Sequence, residues 1–136
     1  MRDKYARREI ERRWFVDLRR VSLQGLSCRR ITDRYIKGTL LRLRKTEGGV
    51  PPYKLGKKVG EWMVNIDLTE AEYRVLATLD AEVLVKDRYA IEGGSLDIPV
   101  DSGLPARWER EFASDEEATV FIPPALVTYE DLPNAP

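Results

Sequence analysis

The chain has 136 residues, of which 43% are apolar and 34% charged, and its 23 basic residues balance 23 acidic ones. This length predicts a single domain over residues 1–136 around one hydrophobic core, with a loose tail over 128–136. With no histidine and one cysteine, Cys28, the sequence excludes an internal disulfide, Ser-His or Cys-His catalysis and imidazole-ligated zinc. Any chemistry must use carboxylates, lysine, arginine, tyrosine or a hard metal ion.

The location and partners of the protein are constrained by its apolar runs and its charge. None of these runs approaches the roughly 20 residues that cross a bilayer, and Met1 is followed by charged residues. We therefore expect a cytoplasmic protein without a membrane partner. The balanced net charge argues against nucleic acid as a partner. A homodimer remains open.

Alternation of apolar and charged residues predicts a β-rich body. Leu41 and Leu43 alternate with Arg42 and Arg44, so one face of that strand is apolar and the other is basic. This alternation predicts a strand over 39–45, and similar alternation predicts strands over 61–68 and 83–91. In 61–68 the apolar face is formed by the residues at even positions. Each strand sets an apolar face against a polar or charged one.

Two segments have the residues that start a helix. Thr69 and Ser114 each stand three residues before a glutamate, the arrangement of a capping box. These caps predict helices over 70–79 and 115–121.

Carboxylates and cations recur with a spacing of two residues. Glu9 and Glu11 are predicted to share one face of a strand, and Glu109 and Glu111 share another. Basic residues recur at similar spacing on other predicted strands, and they are Arg42, Arg44, Lys54, Lys86 and Arg88. The simplest interpretation is a sheet whose charged face lies in water. If the sheet instead closes on itself, the carboxylates can bind a hard divalent cation and the basic side chains a metal-bound oligophosphate.

The order of these segments resembles the CYTH superfamily, the triphosphate tunnel metalloenzymes. Glu9-Ile10-Glu11-Arg12-Arg13 resembles the family's Glu-x-Glu-x-Lys signature, Thr39–Arg44 its strand of paired arginines, Lys86-Asp87-Arg88-Tyr89 its Lys-x-Arg-Tyr segment, and Trp108–Phe112 its late Glu-x-Glu strand. The resemblance extends over roughly residues 5–128. It implies an α+β fold in which an antiparallel eight-stranded β tunnel is flanked by a few helices.

The resemblance also implies an activity and a set of site residues. Family members bind triphosphate-containing small molecules together with Mg²⁺ or Mn²⁺, and many hydrolyse them. Carried over to this sequence, the implied catalytic residues are Glu9, Glu11 and Arg13, the metal ligands are Glu9, Glu11, Glu109 and Glu111, and the phosphate-binding residues are Arg42, Arg44, Lys54, Lys86 and Arg88.

Two departures from the family pattern define the alternative. Arg13 stands where the family usually has lysine, and arginine is a poor proton donor. Met63 and Asn65 stand where family members commonly have a second Glu-x-Glu. The sequence therefore predicts metal-dependent hydrolysis of inorganic tripolyphosphate or a small organic triphosphate. The alternatives are a CYTH-like module that binds a nucleotide, polyphosphate or other anion without turnover, and a structural or interaction domain with a solvated charged sheet.

Overall fold

A computed structural model describes residues 4–132 of the chain, which form ten β-strands, two α-helices and one 3-10 helix. The strands are β1 (Arg7–Arg8), β2 (Glu11–Val16), β3 (Cys28–Ile36), β4 (Leu41–Thr46), β5 (Tyr53–Val59), β6 (Trp62–Asp67), β7 (Ala81–Ile91), β8 (Gly94–Pro99), β9 (Arg107–Glu111) and β10 (Val127–Glu130). The helices are α1 (Glu70–Leu76) and α2 (Asp115–Val120), and the 3-10 helix is Leu18–Arg20. Among these residues no helix has the length and apolar character needed to cross a membrane.

The chain divides into two compact units, which are described separately. The first unit comprises the residues up to Glu9 together with Arg29–Lys86, and the second comprises Ile10–Cys28 together with the residues from Asp87 on. Strand β7 contributes its first half to the first unit and its second half to the second. That residues 1–136 form a single domain stays a prediction.

The first unit is an antiparallel sheet with the strand order β1-β6-β5-β4-β3-β7. Helix α1 contacts β5, and the rings of Tyr53 and Tyr73 lie 4.7 Å apart across that contact. The predicted capping box of α1 is present, because the Thr69 hydroxyl accepts from the Glu72 N–H and the Glu72 carboxylate accepts from the Thr69 N–H. Leu43 is fully buried on the face of β4 opposite the arginines.

The second unit has the strand order β7-β8-β9-β2-β10 around an aromatic core. Trp14 on β2 lies directly opposite Trp108 on β9, with ring centroids 5.6 Å apart. Phe121, which follows α2, packs against both indoles, and Leu96 is fully buried in the same cluster. Because side chains alternate along a strand, this core leaves the opposite face of β2 and β9 to charged residues.

The predicted fold class is confirmed, since the strand pairs are antiparallel and two short helices accompany them. The described residues form ten strands where eight are implied, because β1 and β10 are only two and four residues long and too short to show alternation in the sequence. Helix α1 ends three residues earlier than predicted, since Thr78 and Leu79 donate to carbonyls three residues back and tighten the last turn.

Two local predictions are corrected. In the predicted strand 61–68, Met63 at an odd position is buried at 8% exposure, whereas Ile66 at an even position is 54% exposed. The predicted packing face of β6 is therefore wrong for Met63 and Ile66, whereas Trp62 and Val64 on that face are half-buried. The tail expected over 128–136 is wrong for residues 128–130, which belong to β10 and pair with β2. Residues 133–136 lie outside the described part.

Candidate functional site

The charged face of the first unit is produced by the register of three neighbouring strands. Arg44 on β4 lies opposite Asp33 on β3 and opposite Lys54 on β5. Directly opposite residues of an antiparallel pair share a face, so the three side chains form a row across the sheet. Arg42, two residues before Arg44, lies on the same face.

Asp33 is the buried centre of this row. It is 2% exposed, and its two carboxylate oxygens accept from Arg44 Nε at 2.7 Å and Arg44 Nη2 at 2.8 Å. Burial raises the pKa of Asp33, but the hydrogen bond and charge of Arg44 and the charges of Arg42 and Lys86 outweigh burial, so the pKa is lowered from its ordinary value. Asp33 is therefore a charged group that fixes the plane of the Arg44 guanidinium.

Arg42 lies in a confined polar space beside this pair. Its Nε is 4.0 Å from the Asp33 carboxylate and, within residues 4–132, is buried without a hydrogen-bond partner. Burial, and then repulsion by Arg44, lowers the pKa of Arg42. A Cβ at Gly56 would lie 2.6 Å from Asn65 Oδ1 and 2.8 Å from Met63 Cε, so a larger residue at position 56 would displace the ends of these two side chains.

The strand predicted to hold both Glu9 and Glu11 is interrupted between them. The Glu9 N–H donates to the Glu61 carbonyl at 2.7 Å, whereas the Ile10 carbonyl accepts from the Phe112 N–H at 2.7 Å. The chain thus stops pairing beside β6 and begins pairing with β9. Glu9 belongs to the first unit, where its carboxylate accepts from Lys58 Nζ at 3.2 Å. The prediction that the two glutamates alternate on one strand is wrong.

The carboxylates of the second unit lie on the face of β2 and β9 opposite the two buried tryptophans. Glu11 is directly opposite Glu111, and Arg13 is directly opposite Glu109. Arg13 Nη2 lies 3.3 Å from Glu11 Oε1. The register therefore brings together three of the four predicted carboxylates on one face and places Arg13 among them.

A cavity of about 410 Å³ lies beside these carboxylates. Its lining consists of two arginines, two glutamates, one serine and the two glycines of the β7–β8 turn: Arg88, Arg110, Glu109, Glu111, Ser95, Gly93 and Gly94. Arg88 donates through Nε and Nη2 to Asp97, at 2.7 and 2.8 Å, and Asp97 is 5% exposed. This two-point ion pair repeats in the second unit the arrangement of Asp33 and Arg44.

Sequence reasoning missed both buried aspartates, although Asp33 had a usable signal. Ile31, Asp33 and Tyr35 alternate on β3, so one carboxylate stands on an otherwise apolar or aromatic face. A carboxylate in such a position must be paired if it is buried. The identity of the partner, Arg44, depends on strand register and could not be found locally.

Carboxylate oxygens are ligands that hard divalent cations accept, so the chemistry of this face is compatible with the Mg²⁺ or Mn²⁺ that the resemblance implies. Within residues 4–132 no group of three or more acidic, cysteine or histidine side chains is close enough to hold a metal ion by itself. Mg²⁺ is usually bound by one or two carboxylates together with waters and substrate phosphates. The opposed pair Glu11 and Glu111 matches that donor set, and the metal-ligand role of all four glutamates stays a prediction.

Comparison with solved structures identifies the fold. A structure of the hypothetical protein NE1496 aligns with a TM-score of 0.59 and 23% identity over 90% of this chain and 88% of that one. A second NE1496 structure, described as an inorganic triphosphatase, aligns with a TM-score of 0.58 and 23% identity over 90% of this chain and 88% of that one. The chain has a CYTH-like fold. The PH1012 protein of Pyrococcus horikoshii OT3 aligns with a TM-score of 0.53 and 16% identity over 82% of this chain and 83% of that one. No family model matches this chain, and no curated protein matches it by sequence.

Proposed function

We propose that this protein hydrolyses a triphosphate, either inorganic tripolyphosphate or a small organic triphosphate, with Mg²⁺ or Mn²⁺ as cofactor. The observation that supports this proposal is the cavity of the second unit, where Arg88 lies beside Glu109 and Glu111. A cation and carboxylates in one solvent-accessible space suit a substrate that is itself a metal-bound anion. The same fold in NE1496, described as an inorganic triphosphatase, agrees with it.

Arg88 contributes by binding phosphate oxygens. Its two hydrogen bonds to Asp97 hold the guanidinium plane in place, so little side-chain freedom is lost when an anion binds. In the first unit, the proposal assigns anion binding to Arg42, Arg44, Lys54 and Lys86. Among these four residues, Arg42 gives the best support for anion binding. Its buried Nε is not hydrogen-bonded within the described residues, and a buried donor normally has an acceptor, which a bound anion would supply.

Glu11 and Glu111 would hold the metal ion, which would supply positive charge to the phosphate oxygens as the P–O bond breaks. Arg13 is a poor proton donor, as guanidinium groups are, so its role is to provide charge and orientation. Its ion pair with Glu11, at 3.3 Å, orients that carboxylate. Catalysis then depends on position and electrostatics: a water attacks in line with a leaving pyrophosphate or phosphate, and the arginines stabilise the developing charge.

A binding module without turnover is the second candidate, and Met63 and Asn65 favour it. Both side chains lie at Gly56, on the same side of the sheet as Arg42. A thioether and an amide are weaker ligands for a hard divalent cation than the carboxylates implied there by the family resemblance. The first unit would then bind an anion without a metal ion of its own.

A phosphate-release assay separates the two candidates. The wild-type protein is incubated with tripolyphosphate, thiamine triphosphate or ATP, each with Mg²⁺, Mn²⁺ or a chelator. The proposal predicts metal-dependent release that falls more than about 100-fold in Glu11→Gln and Glu111→Gln, since the loss of outer-shell partners alone typically costs 10- to 100-fold. Glu116→Gln, at an exposed position on α2, is the matched control.

Calorimetry completes the comparison. Tight binding of tripolyphosphate without release of phosphate under any condition would favour the binding module. Neither binding nor release would contradict both candidates. A cytoplasmic location and a homodimer stay predictions.

A further inference from the structure

Arg13 lies on the face of β2 and β9 that carries the glutamates. It is directly opposite Glu109, and Glu11, two residues before it, is directly opposite Glu111. The backbone hydrogen bonds between β2 and β9 lie at the alternate positions, one of them at the residue before Glu11. Side chains of an antiparallel pair are closest where the two residues do not exchange backbone hydrogen bonds. One guanidinium and three carboxylates therefore meet on a small part of this face.

Arg13 is a counter-ion of Glu11. Its Nη2 lies 3.3 Å from Glu11 Oε1, and the two side chains are 35% and 17% exposed. Glu109 faces the same guanidinium across the strand pair. Charges at this distance that are only partly in water interact more strongly than a fully exposed pair. The guanidinium therefore already supplies part of the positive charge that these carboxylates attract.

A metal ion would compete with Arg13 for the same carboxylate. Glu11 and Glu111 are the opposed pair whose oxygens suit a hard divalent cation, and Arg13 contacts one of them. The part of the chain that the structure describes contains no group of three or more ligand side chains that could hold a metal ion by itself. A divalent ion at Glu11 would also be repelled by the positive charge of the neighbouring guanidinium.

We propose that Arg13 makes metal binding at this face depend on the phosphate ligand. This role rests on the proposed function and adds to it the order in which the site is filled. Free metal ion binds weakly while Arg13 is paired with Glu11. A phosphate oxygen is an acceptor that fits the guanidinium fork, so an anion that accepts from Arg13 releases Glu11 for the metal ion. Metal ion and anion then bind together, and each raises the affinity for the other.

Binding of Mn²⁺ alone tests this role without any turnover. Mn²⁺ is titrated into each protein in the absence of phosphate, and the free ion is measured by electron paramagnetic resonance. We expect Arg13→Gln to bind Mn²⁺ about 10-fold more tightly than the wild type, since coupling between two sites typically amounts to about 5- to 150-fold. Arg19→Gln is the matched control, because Arg19 also pairs with a carboxylate two residues away, Asp17, but lies on the 3-10 helix. The control should stay within about 2-fold of the wild type.

A double variant identifies the carboxylate that the metal ion gains. Glu11→Gln combined with Arg13→Gln should lose the increase in affinity, since Glu11 is the ligand that Arg13 otherwise occupies. Arg13→Met removes the same charge and should give the same increase, so it replaces Arg13→Gln if that variant does not fold.

Three results would overturn the proposal: an unchanged Mn²⁺ affinity in Arg13→Gln, an increase that persists in the double variant, or an equal increase in Arg19→Gln. None of them depends on hydrolysis, because no phosphate is present. A protein that releases no phosphate from any triphosphate would still show the increase if Arg13 has this role, so the failure of the proposed function is distinguishable from the failure of this one.

Discussion

The pair of Asp33 and Arg44 predicts how the first unit responds when one charge is removed. In Arg44→Gln, the buried Asp33, which is 2% exposed in the wild type, would keep Arg42 Nε at 4.0 Å but lose its two-point partner. Removing one partner of a buried ion pair costs about 3–5 kcal/mol of unfolding free energy. Because Arg42 and Lys86 still act on the Asp33 charge, we expect the lower end, about 3 kcal/mol.

A second substitution provides the control for this prediction. Asp33→Asn combined with Arg44→Gln removes both charges of the pair, so the buried carboxylate is no longer left without its partner, and the repulsion of Arg42 by Arg44 is removed as well. We expect the double variant to recover to within about 1 kcal/mol of the wild type. Urea unfolding at pH 7, followed by far-UV circular dichroism, measures all three proteins. A cost below about 1 kcal/mol in Arg44→Gln, or a double variant no more stable than the single one, would refute the reasoning.

The pair of Asp33 and Arg44 also predicts how the free energy of unfolding depends on pH. The contribution of Asp33 to this dependence should have opposite signs in the wild type and in Arg44→Gln. In the wild type the pKa of Asp33 is lowered, so its contribution to stability is present above the unfolded pKa, about 3.9, and is lost as pH falls through the folded pKa. In Arg44→Gln the largest lowering influence is removed and burial remains, so the pKa of Asp33 should rise above the unfolded value. The stability deficit of the variant should then shrink between pH 7 and pH 4.5, and a constant or growing deficit would contradict this account.

Three further outcomes are expected. Inorganic tripolyphosphate with Mg²⁺, at roughly 100 times its Kd, should stabilise the protein by about 2.7 kcal/mol, which scanning fluorimetry measures as a raised melting temperature. Sodium chloride of equal ionic strength should have little effect. An equal response to both would contradict a specific site. Gly94→Ala should lower the free energy of unfolding by about 1–3 kcal/mol or more, because the added Cβ would overlap the Trp108 ring and lie 2.5 Å from the Glu109 carbonyl oxygen. Urea unfolding measures this loss, with Ser95→Ala as the control variant. Equal unfolding midpoints for the two variants would contradict the close approach at Gly94. Thr69→Ala should lower the free energy of unfolding by about 1 kcal/mol, because it removes the hydroxyl that accepts from the Glu72 N–H. Thr69→Ser keeps a hydroxyl and should lower it little. Equal losses in the two variants would show that the hydroxyl does not cap α1.

The sequence by itself determined the features that depend on neighbouring residues. The capping residues Thr69 and Ser114 located both helices, because a cap and its glutamate are three residues apart in any fold. Alternation located β4 and β7 within two residues, since side chains alternate along every strand. The order of charged motifs predicted a fold that the structural comparison confirms.

The tertiary structure decided which side chains meet across strands. Asp33 meets Arg44 because β3 and β4 pair in one register, and a shift of one residue would turn the carboxylate to the other face. The interruption between Glu9 and Glu11 arises because the chain changes its hydrogen-bonding partner there, which local alternation does not encode. Met63 is buried because the opposite strand has a glycine at position 56, whose missing side chain leaves the space that Met63 and Asn65 fill. Each outcome depends on residues distant in sequence, and the sequence pattern of one strand contains no information about its neighbour.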